Sequence, residues 1–247
     1  MTTVAVLADP PREDVVLPEL SSSLLTSEEA TTLYTAMLAD VIAAVDAAGG
    51  ETIVNYRDDE ALPESDEDAE SQLRDLVSGT LDSLDGVRFE VQVGTEYYAR
   101  VGNTVTHLLE REETNTAAVV DPTAPFLTRS IVDSGAMKLR SSDVVLGPTT
   151  DGRVYFAGFG ESIDFTDAFE TPAIETLTDR AREEGLSVDF LPMLPVVETS
   201  EDLLTAVPIL RSRRAAERIY PGHTSAVVEN LSLAVEGNSD GAELVRK

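Results

Sequence analysis

Short apolar runs alternate along the chain with longer segments whose apolar residues recur at helical spacing. The runs predict buried strands at residues 4–8, 52–56, 89–93, 116–121, 143–148, 154–159 and 187–192. The helical spacing predicts helices at residues 30–45, 73–84, 101–109, after Thr128 and at 173–184. Strands that are apolar on both faces and are separated by amphipathic helices indicate an α/β fold with a mostly parallel central sheet flanked by helices.

Local signals support the limits of individual elements. Thr26 and Glu29 have the spacing of a capping box, in which each side chain satisfies a backbone N–H of the other at a helix start. Gly49 and Gly50 follow the same helix and predict its end. Residues 57–70, RDDEALPESDEDAE, are so acidic that a solvated linker is the simplest interpretation, with a metal site as the less favoured one.

The chain is interpreted as one α/β domain over residues 1–210 and a C-terminal helical appendage over residues 211–247. At Arg211 the sequence becomes basic, RSRRAAER, and it continues through a Tyr-Pro-Gly turn into a predicted amphipathic helix near residues 224–235. Such a basic segment could pair with a second copy or dock another protein. A homodimer through this segment is therefore one hypothesis.

Charge is the strongest compositional signal. Lysine and arginine total 18 residues against 46 aspartates and glutamates, which gives a formal net charge of −28. A surface of this sign repels phosphates, so nucleic acids and anionic membranes are not expected as partners. Among the basic residues only Lys138 and Lys247 are lysines. This balance is typical of proteins from salt-adapted organisms, in which a Debye length of about 3 Å or less screens the self-repulsion.

The remaining composition excludes further classes. Without cysteine the chain has no disulfide, thiolate zinc site or cysteine nucleophile. No apolar run reaches the roughly 18 residues of a membrane span, and the first residues lack the features of a signal peptide, so we expect a cytoplasmic protein. The two histidines, His107 and His223, suggest no Ser-His-Asp arrangement.

Candidate chemistry is expected at the carboxyl ends of the strands, because ligands of open α/β sheets bind there. Four of the loops that follow strands carry acidic or small residues. They are the loops after Ala8, Val120, Leu146 and Pro192, and they carry Asp9, Asp121, Gly147 with Asp151, and Glu198, respectively.

The second half of the chain carries the most specific motifs. DVVLGPTTDGRVYFAGF is followed by ETPAIETLTDRAREEGLSVDFLPMLPVVETSEDL, which presents in order Gly-Pro, Asp-Gly, an aromatic strand, a Thr-Pro helix and an acidic-Thr-x-Glu-Asp-Leu element. Over residues 4–206 the chain resembles a glycosyltransferase-A-type (GT-A) family of unknown function, which is similar to nucleotide-diphospho-sugar transferases and cofactor-assembling guanylyltransferases. The resemblance implies the GT-A form of the α/β fold.

The resemblance also implies a chemistry and a set of site residues. A divalent ion, Mg²⁺ or Mn²⁺, is then held by carboxylates and bridges the diphosphate of a nucleotide or nucleotide sugar, while basic residues bind the phosphates. The matching positions make Asp151 and Glu198 expected metal ligands, with Asp151 also expected to be catalytic, and Asp121, two residues before the family's aspartate position, is the expected substitute ligand. The expected nucleotide-binding residues are Arg12, Gly147, Pro148, Gly152 and Arg153.

Each of these residues also has a local structural interpretation. Asp151 can be the first residue of a plain Asp-Gly turn. Glu198 can belong to the N-cap region of a helix that starts near Ser200, and Asp121 can cap the turn after its strand. In so acidic a chain, Arg12 and Arg153 can simply form surface ion pairs.

Several positions depart from the family pattern. Asp9 and Glu19 stand where the family carries cations, and Thr123 stands where it carries the metal-binding aspartate. Arg153 replaces a glycine. Two hypotheses stay open. One is a diverged nucleotide-sugar or nucleotidyl transferase-like protein, and the other is a catalytically silent GT-A-fold scaffold or regulatory protein.

Overall fold

Seven strands form one central sheet in the computed structural model, which describes residues 2–22, 24–238 and 241–247. The strands are β1 (Thr2–Ala8), β2 (Glu51–Tyr56), β3 (Val87–Val91), β4 (Thr116–Val120), β5 (Val144–Pro148), β6 (Val154–Phe159) and β7 (Val188–Phe190). Their order across the sheet is β3-β2-β1-β4-β6-β5-β7. Neighbouring strands are parallel, except that β6 runs antiparallel to β4 and to β5. The predicted mostly parallel α/β sheet is confirmed.

Helices cover both faces of this sheet. They are α1 (Pro18–Ser21), α2 (Ser27–Asp46), α3 (Ala69–Thr80), α4 (Tyr97–Thr106), α5 (Arg129–Lys138), α6 (Ala173–Glu183), α7 (Ser200–Ala215) and α8 (Gly222–Asn230). Val4 and Val6 of β1 belong to a core that includes α2, α3, α5, α7 and α8. Ala5 and Leu7 face the other way, into a core with α4 and α6, as the two-residue period of a strand requires. Within the described ranges, no helix is long and apolar enough to cross a membrane.

Helix α2 begins with the predicted capping box. The Thr26 hydroxyl accepts the N–H of Glu29, and the Glu29 carboxylate accepts the N–H of Thr26. Arg246, far along the chain, donates two further hydrogen bonds to the same carboxylate, of 2.6 and 2.7 Å. The Arg246 contacts, followed by the N–H of Thr26, lower the pKa of Glu29 to about 2. The end of the chain is therefore fixed to the start of α2.

The C-terminal segment differs from the prediction. Helix α7 continues through residue 210, so the expected domain boundary lies inside a helix, and the division of the chain there stays a prediction. Strands β8 (Leu233–Asn238) and β9 (Gly241–Arg246) pair antiparallel where the predicted helix was to end. Leu233 and Val235 pack on the same core, two residues apart, which is the period of a strand rather than of a helix.

A single carboxylate of α2 receives the start of helix α8. Asp40 accepts hydrogen bonds from the backbone N–H groups of His223 and Thr224 and from the Thr224 hydroxyl. Val228 of α8 lies in the core that α2 shares. The segment after residue 210 is thus packed against the α/β domain rather than extended from it.

Candidate functional site

A cleft of about 440 Å³ opens at the carboxyl ends of β1 and β4, where the sequence predicts the chemistry. Because β6 runs opposite to its neighbours, the residue just before it, Arg153, lies at the same edge as the ends of β4 and β5. Charged side chains from separate segments of the chain line the cleft: Asp9, Glu19, Asp121, Arg153 and Glu198. A larger cavity of about 700 Å³ lies at the opposite edge, beside Gly49 and Gly50, and carries none of the predicted residues.

Asp121 and Glu198 come together around Thr123. The Thr123 N–H and hydroxyl each donate to Oδ1 of Asp121 at 2.7 Å, and the same hydroxyl lies 3.5 Å from Oε1 of Glu198. Burial, and after it the neighbouring charge of Glu198, raises the pKa of Asp121 to about 7, although the Thr123 donors act in the opposite direction. The threonine at the expected aspartate position therefore links two carboxylates from different loops.

Arg153 binds the other side of Glu198. Its Nη1 donates to Oε2 of Glu198 at 2.5 Å, and its Nη2 donates to Oδ1 of Asp202 at 2.7 Å and to the Thr150 hydroxyl at 3.0 Å. Burial lowers the pKa of the guanidinium, but Asp202 and Glu198 raise it more, so the group stays charged. Three of the five N–H donors of the guanidinium are thus engaged.

Asp202 fixes both of these partners. Its side chain is buried, with 4 % of its surface exposed, and Oδ2 accepts the N–H groups of Glu198 and Thr199. The Thr199 hydroxyl accepts the N–H of Asp202 in return, which completes a capping box at the start of α7. One helix cap therefore sets the position of Glu198 and of the Arg153 guanidinium. Sequence analysis missed this residue, although the Thr199-x-x-Asp202 spacing was the available signal.

The first-loop side of the cleft is closed by another ion pair. Both oxygens of Asp9 accept from Arg57, at 2.5 and 2.9 Å. The N–H of Asp9 donates to the hydroxyl of Tyr34, which is buried and lines the cleft. Burial is the main cause that raises the pKa of Tyr34, so its hydroxyl keeps its proton. The acidic residue at an expected cation position is therefore neutralised by an arginine that follows β2.

Aromatic rings form part of the cleft wall. Tyr97 and Phe169 meet edge to face, with ring centroids 5.4 Å apart, and both line the cleft. Together with Tyr34 they offer apolar faces beside the charged groups, a combination common in small-molecule sites. Sequence analysis did not identify Tyr34, Arg57 or Tyr97, because their places depend on how α2, β2 and α4 meet at this edge.

Asp151 and Gly152 form the turn before β6. Both have left-handed backbone angles, with φ of 58° and 72°, which aspartate and glycine tolerate. The Asp151 side chain is 80 % exposed, and its carboxylate lies 3.9 Å from Arg153. A Cβ at Gly152 would lie 2.8 Å from Cβ of Pro172, so packing also requires glycine there. The plain-turn interpretation of Asp-Gly accounts for both residues.

The other expected nucleotide-binding residues lie outside the cleft lining. Gly147 is buried, and a Cβ there would lie 2.6 Å from Cζ of the Tyr155 ring, so glycine leaves room for that ring. The carbonyl of Pro148 accepts the N–H of Leu194. Neither residue contributes a side chain to the cleft; Gly147 makes space inside the fold instead.

Arg12 is buried beneath the acidic stretch, with 8 % of its side chain exposed. It donates to Asp59 at 2.7 Å, to Gln72 at 2.8 Å and to the carbonyls of Pro63 and Glu67. Arg12 therefore lies outside the cleft lining, because its donors hold the loop before α3, and its role in nucleotide binding stays a prediction. The stretch at 57–70 is mostly exposed, as expected of a linker, but it folds around this arginine.

The residues present do not fit a divalent ion held by the three expected carboxylates. Within residues 2–22, 24–238 and 241–247, no group of three or more His, Cys, Asp or Glu side chains is arranged to hold one. Asp151 points to solvent at the turn, while Arg153 already occupies one oxygen of Glu198. Asp121 and Glu198 are brought together, and Asp151 does not join them.

Comparisons with known proteins identify the fold. The chain matches no protein-family model and no curated protein. A solved structure from Desulfovibrio desulfuricans, assigned as a nucleotide-diphospho-sugar transferase, is similar with a TM-score of 0.75 at 17 % identity, covering 93 % of this chain and 94 % of that one.

Two further solved structures are similar at lower scores. The 4-diphosphocytidyl-2C-methyl-D-erythritol synthase of Anaerococcus prevotii has a TM-score of 0.51 at 13 % identity, over 85 % of this chain and 98 % of that one. A cytidylyltransferase from Leptospira borgpetersenii has a TM-score of 0.50 at 9 % identity, over 93 % and 94 %. The chain thus has the GT-A-type fold of nucleotide-diphospho-sugar transferases and related nucleotidyltransferases, and the expected resemblance is confirmed at the level of the fold.

Proposed function

We propose that the cleft binds the diphosphate of a nucleoside diphosphate or nucleotide sugar, and that the protein is a diverged nucleotide-sugar or nucleotidyl transferase-like protein. The observation that carries this proposal is the convergence of Asp121, Arg153 and Glu198, from three separate loops, on one cleft at the strand ends. The GT-A-type fold supports it, since ligands of open α/β sheets bind at this edge. A cavity of about 440 Å³ has the size of a small-molecule site.

Three groups of the chain support this proposal. Arg153 has two N–H donors without an acceptor in the described part of the chain, and a guanidinium binds phosphate oxygens well. The Tyr34 hydroxyl accepts from Asp9, so its own proton is available for a phosphate oxygen. The Tyr97 and Phe169 rings offer a face for the base or the sugar.

The second candidate is a catalytically silent scaffold or regulatory protein, and a separate observation favours it. Arg57 pairs with Asp9 and Arg153 pairs with Glu198, so ion pairs close within the protein on two sides of the cleft. The expected catalytic residue, Asp151, is exposed at a turn rather than turned into the cleft. A protein that had lost its ligand could keep this arrangement for stability alone.

A thermal-melting titration separates the two candidates. The protein is held in about 2–4 M KCl, to match its charge, and mixed with ADP, GDP, CDP, UDP and their sugar conjugates, each with Mg²⁺, Mn²⁺ or EDTA. We expect at least one diphosphate to raise the melting temperature while its parent nucleoside does not, because binding to the folded state alone stabilises it. A flat response across all arms would favour the silent scaffold.

A matched pair of variants locates the binding. Arg153→Gln removes the cleft guanidinium, and Arg129→Gln removes an arginine that is 68 % exposed and pairs with Asp133 on α5, outside the cleft lining. We expect Arg153→Gln to abolish the diphosphate-dependent shift and Arg129→Gln to preserve it. Equal shifts in both variants would place the ligand elsewhere.

A further inference from the structure

The protein itself supplies a cation beside Glu198. One guanidinium faces three carboxylates: Glu198 at 2.5 Å, Asp202 at 2.7 Å and Asp151 at 3.9 Å. An arginine keeps its charge at every pH at which the protein is folded. The positive charge at this corner is therefore permanent and needs no bound ion to supply it.

The guanidinium is also held in place. Thr150 accepts one N–H at 3.0 Å, Asp202 accepts another from a buried position, and 22 % of the Arg153 side chain is exposed. Asp202 is in turn fixed by the N–H groups of Glu198 and Thr199 at the start of α7. Arg153 is consequently anchored from the turn before β6 and from the cap of α7, not merely laid across the surface.

The same contacts leave few oxygen ligands for a divalent ion. Such an ion needs several oxygen ligands at about 2.0–2.6 Å and low positive charge nearby. One oxygen of Glu198 and one of Asp202 are bound to Arg153, and the other oxygen of Asp202 accepts two backbone N–H groups. An ion at Asp121 and Glu198 would lie next to the fixed guanidinium and be repelled by it.

We propose that Arg153 is a built-in cation that takes the place of the divalent ion in the cleft. The wild-type protein then has no ion site at Asp121 and Glu198. Any phosphate-bearing ligand binds to the guanidinium without a metal. This last statement rests on the proposed function, whereas the statement about the ion site does not.

Direct Mn²⁺ binding tests the ion-site statement. Free Mn²⁺ is measured by electron paramagnetic resonance in molar KCl, which suppresses loose binding to the acidic surface. We expect no stoichiometric site in the wild type, in Arg153→Lys or in the exposed control Arg129→Gln. We expect Arg153→Gln to gain one stoichiometric site, at least about tenfold tighter than any residual Mn²⁺ binding of the wild type, because Glu198 and Asp121 lose their competing cation.

A double variant confirms where a gained site lies. Arg153→Gln combined with Glu198→Gln should lose the gained Mn²⁺ site and return to the wild-type titration. A stoichiometric Mn²⁺ site in the wild type that Glu198→Gln removes would overturn the proposal. Failure of Arg153→Gln to gain a site would also overturn it, since these carboxylates would then not be an ion site that an arginine fills.

Diphosphate binding in the presence of EDTA tests the statement that a phosphate-bearing ligand binds without a metal. We expect any diphosphate that shifts the wild-type melting temperature to do so equally in EDTA and in Mg²⁺. A shift that requires Mg²⁺ or Mn²⁺ would overturn metal-free binding. If no diphosphate shifts the melting temperature under any condition, the proposed function fails, and the Mn²⁺ titrations still decide whether Arg153 replaces an ion.

Discussion

Two regions beside the strand ends, the first-loop corner and the corner between β6 and α7, use arginine differently. At the first-loop corner, Arg57 gives two donors to Asp9, and Arg12 is buried among Asp59, Gln72 and two backbone carbonyls. At the corner between β6 and α7, Arg153 binds carboxylates but keeps a face on the cleft. Arg12 thus uses its donors to hold a loop, whereas Arg153 retains two N–H donors without an acceptor in the described part of the chain.

Lowering the salt concentration should produce the largest change in stability, because salt screens charges at both corners and over the whole surface. With a net charge of −28, lowering KCl from about 3 M to about 0.1 M exposes the self-repulsion that high salt screens. We expect the free energy of unfolding to fall by several kcal/mol, or roughly 10 °C in melting temperature. A melting temperature that is unchanged, or higher in low salt, would contradict the interpretation of the composition as salt adaptation.

Arg12→Ala tests how much the buried arginine at the first-loop corner stabilises the fold. The change leaves Asp59 and the carbonyls of Pro63 and Glu67 without their buried donor, so we expect a loss of about 3 kcal/mol in denaturant unfolding. Arg129→Ala, which removes an exposed pair with Asp133, should cost under about 0.5 kcal/mol. If Arg12→Ala were equally mild, the burial assigned to Arg12 would be wrong.

Gly147→Ala separates packing from ligand binding. The new Cβ would lie 2.6 Å from Cζ of the Tyr155 ring, whose hydroxyl is held by the carbonyl of Pro192 at 2.9 Å. We expect a loss of about 2 kcal/mol from overpacking, measured by chemical denaturation. Any diphosphate-dependent melting shift should stay as in the wild type, and its selective loss at unchanged stability would restore the ligand role predicted for Gly147.

The pH dependence of stability reports on the carboxylate pair. The pKa of Asp121 is raised in the folded state to about 7, above its ordinary value near 4. The stability that this raised pKa contributes is therefore fully present below about pH 4 and is lost as the pH rises through about 7. Asp121→Asn removes this titration but keeps an acceptor for Thr123. We therefore expect the variant to gain stability relative to the wild type as the pH rises from about 4 to about 7, by at least about 1 kcal/mol at pH 8.

The two proteins should converge in stability below about pH 3, where Asp121 is mostly protonated in both the folded and the unfolded chain. Thermal melting at a series of pH values in constant KCl measures the difference between them. A constant difference across that range would show that Asp121 does not titrate as its surroundings indicate.

Sequence patterns predicted the individual strands and helix starts because these depend on residues close together in the chain. Strand β6 coincides with the predicted run at 154–159, and the Thr26 and Glu29 spacing located the start of α2. Patterns failed where distant segments meet. The helix predicted near 224–235 gives way to β8, because Leu233 and Val235 pack on a core that residues from far earlier in the chain build.

The candidate site also contains features that the sequence predicted and features that it did not. Strand ends predicted that Asp121 and Glu198 would lie at one edge, and the structure brings them together through Thr123. The partners of Arg12 lie roughly 50 residues away along the chain, and those of Arg153 include a helix cap that no strand pattern indicates. Charge type could be read from the sequence, but the partner of each charge depends on tertiary contacts.

The central claim is that the fixed guanidinium of Arg153, rather than a divalent ion, is the cation beside Asp121 and Glu198. Its most direct test is a crystal structure of the wild-type protein grown with a nucleoside diphosphate and MnCl₂, with diffraction recorded at the manganese absorption edge. The account predicts phosphate oxygens on Arg153 and no anomalous peak between Asp121 and Glu198. A manganese peak at that place, with Arg153 turned away from Glu198, would contradict it.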